Sequence, residues 1–171
     1  MCGIRLASAA AALILILAVS GQRAAAQDPA FLVIGAGGYD VNKRDNTAAE
    51  FSLQYRSDVD LWIFRPFAGL MATTDSAVNA YVGIGIDLFF GNRWAVRPSF
   101  APGLYGKGDG KDLGHSVEFR SGIEIAYRFD DRARLGLELY HLSNANIGSR
   151  NPGEESLILT YALPISSLFG P

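Results

Sequence analysis

Apolar and polar positions alternate along most of this chain. In Ser116–Phe129, Val117, Phe119, Ile123, Ile125, Tyr127 and Phe129 share one face with Ser121. Glu118, Arg120, Gly122, Glu124, Ala126 and Arg128 share the other. Tyr81–Phe90 divides the same way, with Val82, Ile84, Ile86, Leu88 and Phe90 opposing Tyr81, Gly83, Gly85, Asp87 and Phe89. A period of two places successive side chains on opposite faces of a strand. Eight such segments stand between turn signals: Phe31–Tyr39, Glu50–Arg56, Leu61–Met71, Val78–Phe90, Trp94–Tyr105, Ser116–Phe129, Arg134–Ser143 and Ser156–Ile165. No stretch reads as a convincing helix. The pattern predicts one all-β domain, a barrel or a sandwich.

The composition of the polar face narrows the choice. It is rich in Gly and Ala, with intermittent Arg and Glu. A face turned to water would carry more Thr, Lys and Glu, because Gly weakens a strand and packs nothing. The lumen of a narrow barrel instead calls for small side chains and charges that neutralise one another. Tyr55, Trp62, Phe64, Phe89, Phe90, Trp94, Tyr127, Phe129 and Tyr161 gather near strand ends, as in the aromatic girdles of membrane barrels. The expected fold is an eight-stranded antiparallel transmembrane β-barrel. Pro66, Pro98 and Pro102 fall inside proposed strands, and a closed barrel has no free edge for a missing N–H. They are therefore expected at bulges or strand ends.

The first residues stand outside this rhythm. Arg5 precedes an apolar run from Leu6 to Val19, and Ala24, Ala25 and Ala26 supply small residues before a cleavage site. That layout predicts a signal peptide over residues 1–26 and an outer-membrane barrel over residues 27–171. Cleavage removes Arg5, Arg23 and Cys2, the only cysteine, leaving 13 basic and 17 acidic residues and a net charge of −4. A thiol nucleophile, a disulfide and a cysteine metal site are then excluded. The charge gives no nucleic-acid footprint. No His, Asp and Glu cluster has metal-ligand spacing, so no cofactor is expected.

With both termini in the periplasm, Asp40–Ala49, Ala72–Ala77, Gly106–His115 and Asn144–Glu155 become external loops. Ser57–Asp60, Gly91–Arg93 and Asp130–Ala133 become the shorter periplasmic turns, the expected asymmetry.

Candidate chemistry lies in Tyr140–Glu155. His141 and Ser143 sit at i and i+2, on one face and roughly 6.5–7 Å apart along a strand. They share parity with Leu135, Leu137 and Leu139, and Glu155 shares parity with Leu157, Leu159 and Tyr161 on the next strand. If the leucines face lipid, a base, a hydroxyl and a carboxylate converge on the outer surface. Those are the parts of Ser-His-acid hydrolysis. Taken alone, the residues also fit a polar pair ending a strand, an ordinary Asn-Pro-Gly loop and two solvated acids, Glu154 and Glu155.

The run His141-x-Ser143-Asn144-Ala145-x-Ile147, continued by Asn151-Pro152-Gly153 and an acid, closely resembles the lipid A 3-O-deacylase (PagL) family, many of whose members are called acyloxyacyl hydrolase-like. The specific resemblance covers about the last thirty residues. It implies an eight-stranded outer-membrane barrel that removes the ester-linked hydroxyacyl chain at position 3 of lipid A. Its catalytic residues would fall on His141, Ser143 and Glu155, with Glu154 the less favoured acid. Asn144 and Asn151, with backbone N–H groups around Ala145–Gly148 and Gly148 among them, are its candidates for stabilising the oxyanion.

The resemblance implies lipopolysaccharide as the partner. It leaves a homodimer open. Leu137 and Leu139 would lie beside acyl chains, and Arg150, Lys107 and Lys111 would meet phosphates or, equally, serve only solubility. The terminal Leu168-Phe169-Gly170-Pro171 departs from the aromatic end common in outer-membrane barrels. A non-enzymatic small barrel, structural or adhesin-like, and a soluble periplasmic lipocalin-like binder are the competing readings.

Overall fold

The computed structural model describes residues 28–42 and 46–169, so the expected signal peptide lies outside the described residues. The strands are β1 (Phe31–Tyr39), β2 (Ala48–Arg56), β3 (Arg65–Thr73), β4 (Val78–Gly85), β5 (Leu88–Phe90), β6 (Trp94–Gly106), β7 (Val117–Arg128), β8 (Arg134–Ser143) and β9 (Glu154–Pro164). All pairings are antiparallel, in the order β4-β3-β2-β1-β9-β8-β7-β6-β5. A β4–β6 pairing joins the two ends. β4 and β5 keep one register against β6, from Val78↔Gly106 to Phe90↔Trp94, and so act as one strand interrupted at Ile86 and Asp87. The result is a closed barrel of eight strands, and closure leaves no sheet edge.

The prolines account for the interruption. Pro66 is the second residue of β3, a strand end as expected. Pro98 and Pro102 are not at ends; they lie inside β6, where both keep their pairing with β7. On the other side the ladder lapses at Val82 and Gly83, opposite Pro102 and Ala101, and again between Gly85 and Leu88, opposite Pro98. The Ile86 N–H, donated to the Pro98 carbonyl at 3.0 Å, bridges the second gap. A residue without an N–H cannot complete a ladder, and the barrel absorbs the loss on one side.

Burial runs inside out relative to a soluble protein. Glu50, Gln54, Arg56, Arg97, Glu118, Arg120, Glu124, Arg134, Glu138 and Thr160 are buried, whereas Leu53, Leu70, Val82, Ile125, Leu137 and Leu159 are exposed. A soluble lipocalin-like barrel would reverse this, so that reading fails. Buried charges are tolerable only when paired. Arg56 donates to both carboxylate oxygens of Glu124 at 2.6 and 3.2 Å, and Thr160 Oγ1 donates to the same group at 2.5 Å. Arg120 pairs with Glu138 at 2.8 Å and stacks 3.8 Å over the Tyr140 ring. Arg97 pairs with Asp87 at 2.7 Å, and Arg134 with Asp28.

Two expectations need correction. The third strand starts at Arg65 rather than Leu61, because Leu61 and Phe64 exchange backbone hydrogen bonds at 2.8 and 3.1 Å across a turn with Trp62 at φ 65°. The connection after β2 is therefore longer than expected. Phe89 is no girdle residue; the guanidiniums of Arg128 and Arg134 stack over it at 5.6 and 5.3 Å, which places it on the lumen side.

Candidate active site

Strand β8 sets the site by parity. Leu135, Leu137 and Leu139 are exposed, and His141 and Ser143 continue that face half-buried, while Tyr140 and Leu142 are buried. β9 begins with the acids, and its register puts His141 opposite Glu155 and Leu142 opposite Glu154. The two carboxylates thus part company. Glu154 points into the lumen, fully buried, where its Oε2 accepts from Ser156 Oγ at 3.0 Å and from the Asp40 N–H at 3.3 Å. Glu155 points outward, and its Oε1 lies 3.1 Å from His141 Nδ1.

With its proton on Nδ1, the imidazole donates to Glu155 and keeps the Nε2 lone pair as a base. The other oxygen of Glu155 accepts from Asn42 Nδ2 at 3.4 Å, and its backbone carbonyl accepts from the Val41 N–H at 2.9 Å. Sequence reading missed both braces. They follow β1, which reaches β9 only because the barrel closes.

Ser143 lies two residues beyond His141 on the same face, and its partner across β7 is Phe119. Phe119 stacks on Phe100 with centroids 5.9 Å apart. The hydroxyl therefore has a histidine along its own strand and apolar rings beside it.

The loop after Ser143 is built around Asn144, which is fully buried. Its Nδ2 donates to the carbonyls of Leu113 and Arg150, each at 2.8 Å, and its Oδ1 accepts from the Asn146 N–H at 3.0 Å. Both amide hydrogens are thereby engaged. The Asn144 N–H donates to Asn151 Oδ1 at 3.0 Å, which leaves the Asn151 amide nitrogen without a partner among the described residues. Ala145 and Asn146 adopt φ of 52° and 63°. Gly148 packs against the neighbouring loop, where a Cβ would come 2.7 Å from the Gly114 carbonyl.

The basic residues separate. Lys111 is buried against Asp40 at 2.6 Å, so its charge is already matched and the expected phosphate contact loses its donor. Arg150 pairs with Asp112 at 2.5 Å, and Lys107 stands 4.0 Å from the same carboxylate. The Gly114 N–H, then the Arg150 guanidinium, hold Asp112 below the usual carboxylate range.

Residues 39–164 match the protein family described as lipid A 3-O-deacylase (PagL). No curated protein sequence matches the chain. Among solved structures, the crystal structure of the outer membrane enzyme PagL superposes with a TM-score of 0.61 at 20% identity, covering 78% of this chain and 99% of that one. The structural likeness shows the shared fold, and the family match takes in most of the chain. The chain belongs to the lipid A 3-O-deacylase (PagL) family and is a carboxylic ester hydrolase of the outer membrane.

Proposed function

We propose that Ser143, His141 and Glu155 hydrolyse the ester-linked hydroxyacyl chain at position 3 of lipid A, working from the outer leaflet. The observation that carries this reading is the His141–Glu155 contact at 3.1 Å, on the outward side of two strands whose next outward residues are Leu139 and Leu157. A hydrolase whose polar residues continue a lipid-facing stripe takes its substrate from the membrane plane.

Ser143 Oγ attacks the ester carbonyl carbon as His141 Nε2 takes its proton. Glu155 accepts from Nδ1–H and stabilises the imidazolium. The tetrahedral intermediate collapses, the acyl–oxygen bond to the sugar breaks, and the leaving alkoxide takes the proton from His141. Water then repeats the sequence on the acyl-serine and frees the hydroxy fatty acid. The negative oxygen needs donors aimed at it. We assign these to the Asn151 amide and to the backbone N–H groups of Ala145 and Gly148, since those of Asn146 and Ile147 already donate to Asn144, and give Asn144 the task of shaping that loop. Arg150 and Lys107 remain as candidates for the phosphates. One barrel carries all three catalytic residues, so the reaction needs no homodimer. The site stands at the rim of the 107–116 and 144–153 loops, which we place outside the cell.

Release of hydroxy fatty acid from lipopolysaccharide by the purified, detergent-folded barrel tests the assignment. Ser143→Ala and His141→Ala are each expected to lose at least about 1,000-fold in rate. Retained activity in a folded Ser143→Ala protein would reject the nucleophile.

A further inference from the structure

We propose that Gly153 is a positioning residue for this reaction: the space left by its missing side chain seats the His141 imidazole between Glu155 and Ser143. This rests on His141 acting as the base. Gly153 stands one residue before β9, at φ +60°, with its α-carbon turned toward the ring. A Cβ built there would lie 2.6 Å from His141 Cε1 and 3.2 Å from Nε2. The first separation is shorter than real Cβ contacts allow, so with alanine there the ring or the loop that faces it must shift. Cε1 sits between the two ring nitrogens. A rotation of the ring that relieves pressure there breaks the Nδ1 contact with Glu155, turns Nε2 away from the serine side, or does both.

Backbone conformation alone does not explain the glycine. In the same connection Ala145 and Asn146 hold φ of 52° and 63° with ordinary side chains. At the other end of the barrel Gly91 has nearly the same φ, +62°, but a Cβ there would meet nothing within 4 Å. Gly91 answers to backbone freedom; Gly153 answers to the imidazole as well. The contrast makes Gly91→Ala a control that carries the left-handed backbone penalty without touching the site.

The test is steady-state deacylation of lipopolysaccharide by the folded barrel. Gly153→Ala is expected to lower kcat on the order of 100-fold, the cost of misplacing a reacting group by about 1 Å. KM should stay within about threefold, since uniform substrate binding is untouched. Gly153→Asn, which tolerates the left-handed region but carries the same Cβ, is expected to behave like Gly153→Ala. Gly91→Ala should keep the wild-type kcat.

A folded Gly153 variant with wild-type kcat would overturn the proposal. So would an equal loss in Gly91→Ala. Wild-type protein supplies a readout that needs no variant to fold. Of its two histidines, His141 should show a nuclear Overhauser contact from its Cε1 proton to the Gly153 Hα protons, and its absence would also overturn the proposal. Ser143→Ala and His141→Ala run alongside. If either stays active, the catalytic assignment fails; if both are inactive while Gly153→Ala is not, only the positioning role fails.

Discussion

Two adjacent glutamates show how much one residue of register decides. Glu154 and Glu155 are chemically identical, but a period of two sends the first into the lumen and the second to the histidine. Glu155→Gln should therefore lower kcat by roughly 100-fold or more, because the imidazolium loses its counter-charge. Glu154→Gln should leave kcat within about threefold, since it alters nothing in the outward set. Deacylation kinetics on the two folded variants check this, and the reverse order of effects would contradict it.

Parity placed His141 and Ser143 on one outward face with Glu155 on the same side before any fold was known, and the family resemblance supplied the roles proposed for them. Asn42 was not legible: it reaches Glu155 across a sequence separation of 113 residues through barrel closure. Asn144 stood out as possible chemistry, yet its amide is engaged by the Leu113 and Arg150 carbonyls. Sequence cannot show what a side chain has already been given to hold.

Among elements, the loops over 107–116 and 144–153 behave as one piece. Asn144 crosses to Leu113, Arg150 pairs with Asp112, and Gly148 packs on Gly114. The Asp112 carboxylate is held below its usual range by the Gly114 N–H first and Arg150 next. Its folded-state pKa is thus depressed, so its contribution is present above the ordinary carboxylate range and lost only as pH falls through the lower folded value. The Gly114 amide resonance should stay flat on acidification and move with a midpoint below about 3.9, the unperturbed value for Asp. A midpoint at or above that value would show the latch to be absent.

Element boundaries were less legible than elements. Trp62, Ile63 and Phe64 read as strand because a short apolar run looks the same in a strand and in an apolar turn. Pro98 and Pro102 announced a conflict with a closed sheet. Its resolution, a ladder lapsing on one side only, depended on the β4–β6 register that no local pattern contains.

At the scale of the whole molecule, the organising fact is the inverted solvent. The lumen is packed with polar side chains, several of them in ion pairs, and the outside is a belt of aliphatic side chains. Leu137→Arg places a charge in that belt and should cost about 2–4 kcal/mol if the position lies near the bilayer midplane. Urea unfolding from lipid vesicles would measure it, and a neutral effect would mean that Leu137 does not face lipid. The barrel was legible because two signals agreed, a period of two and a polar face of glycine, alanine and matched charges. The interruption between β4 and β5 was not, because Ile86 and Asp87 continue the alternation without a break.

The central claim is that Ser143 removes one ester-linked hydroxyacyl chain from lipid A. Mass spectrometry of lipid A from cells expressing the protein tests it most directly. Wild-type protein should shift the lipid A mass down by one hydroxyacyl chain, lost from position 3, and Ser143→Ala at equal outer-membrane abundance should leave the mass unshifted. An identical shift with wild-type protein and Ser143→Ala, or no shift with folded wild-type protein, would contradict the account.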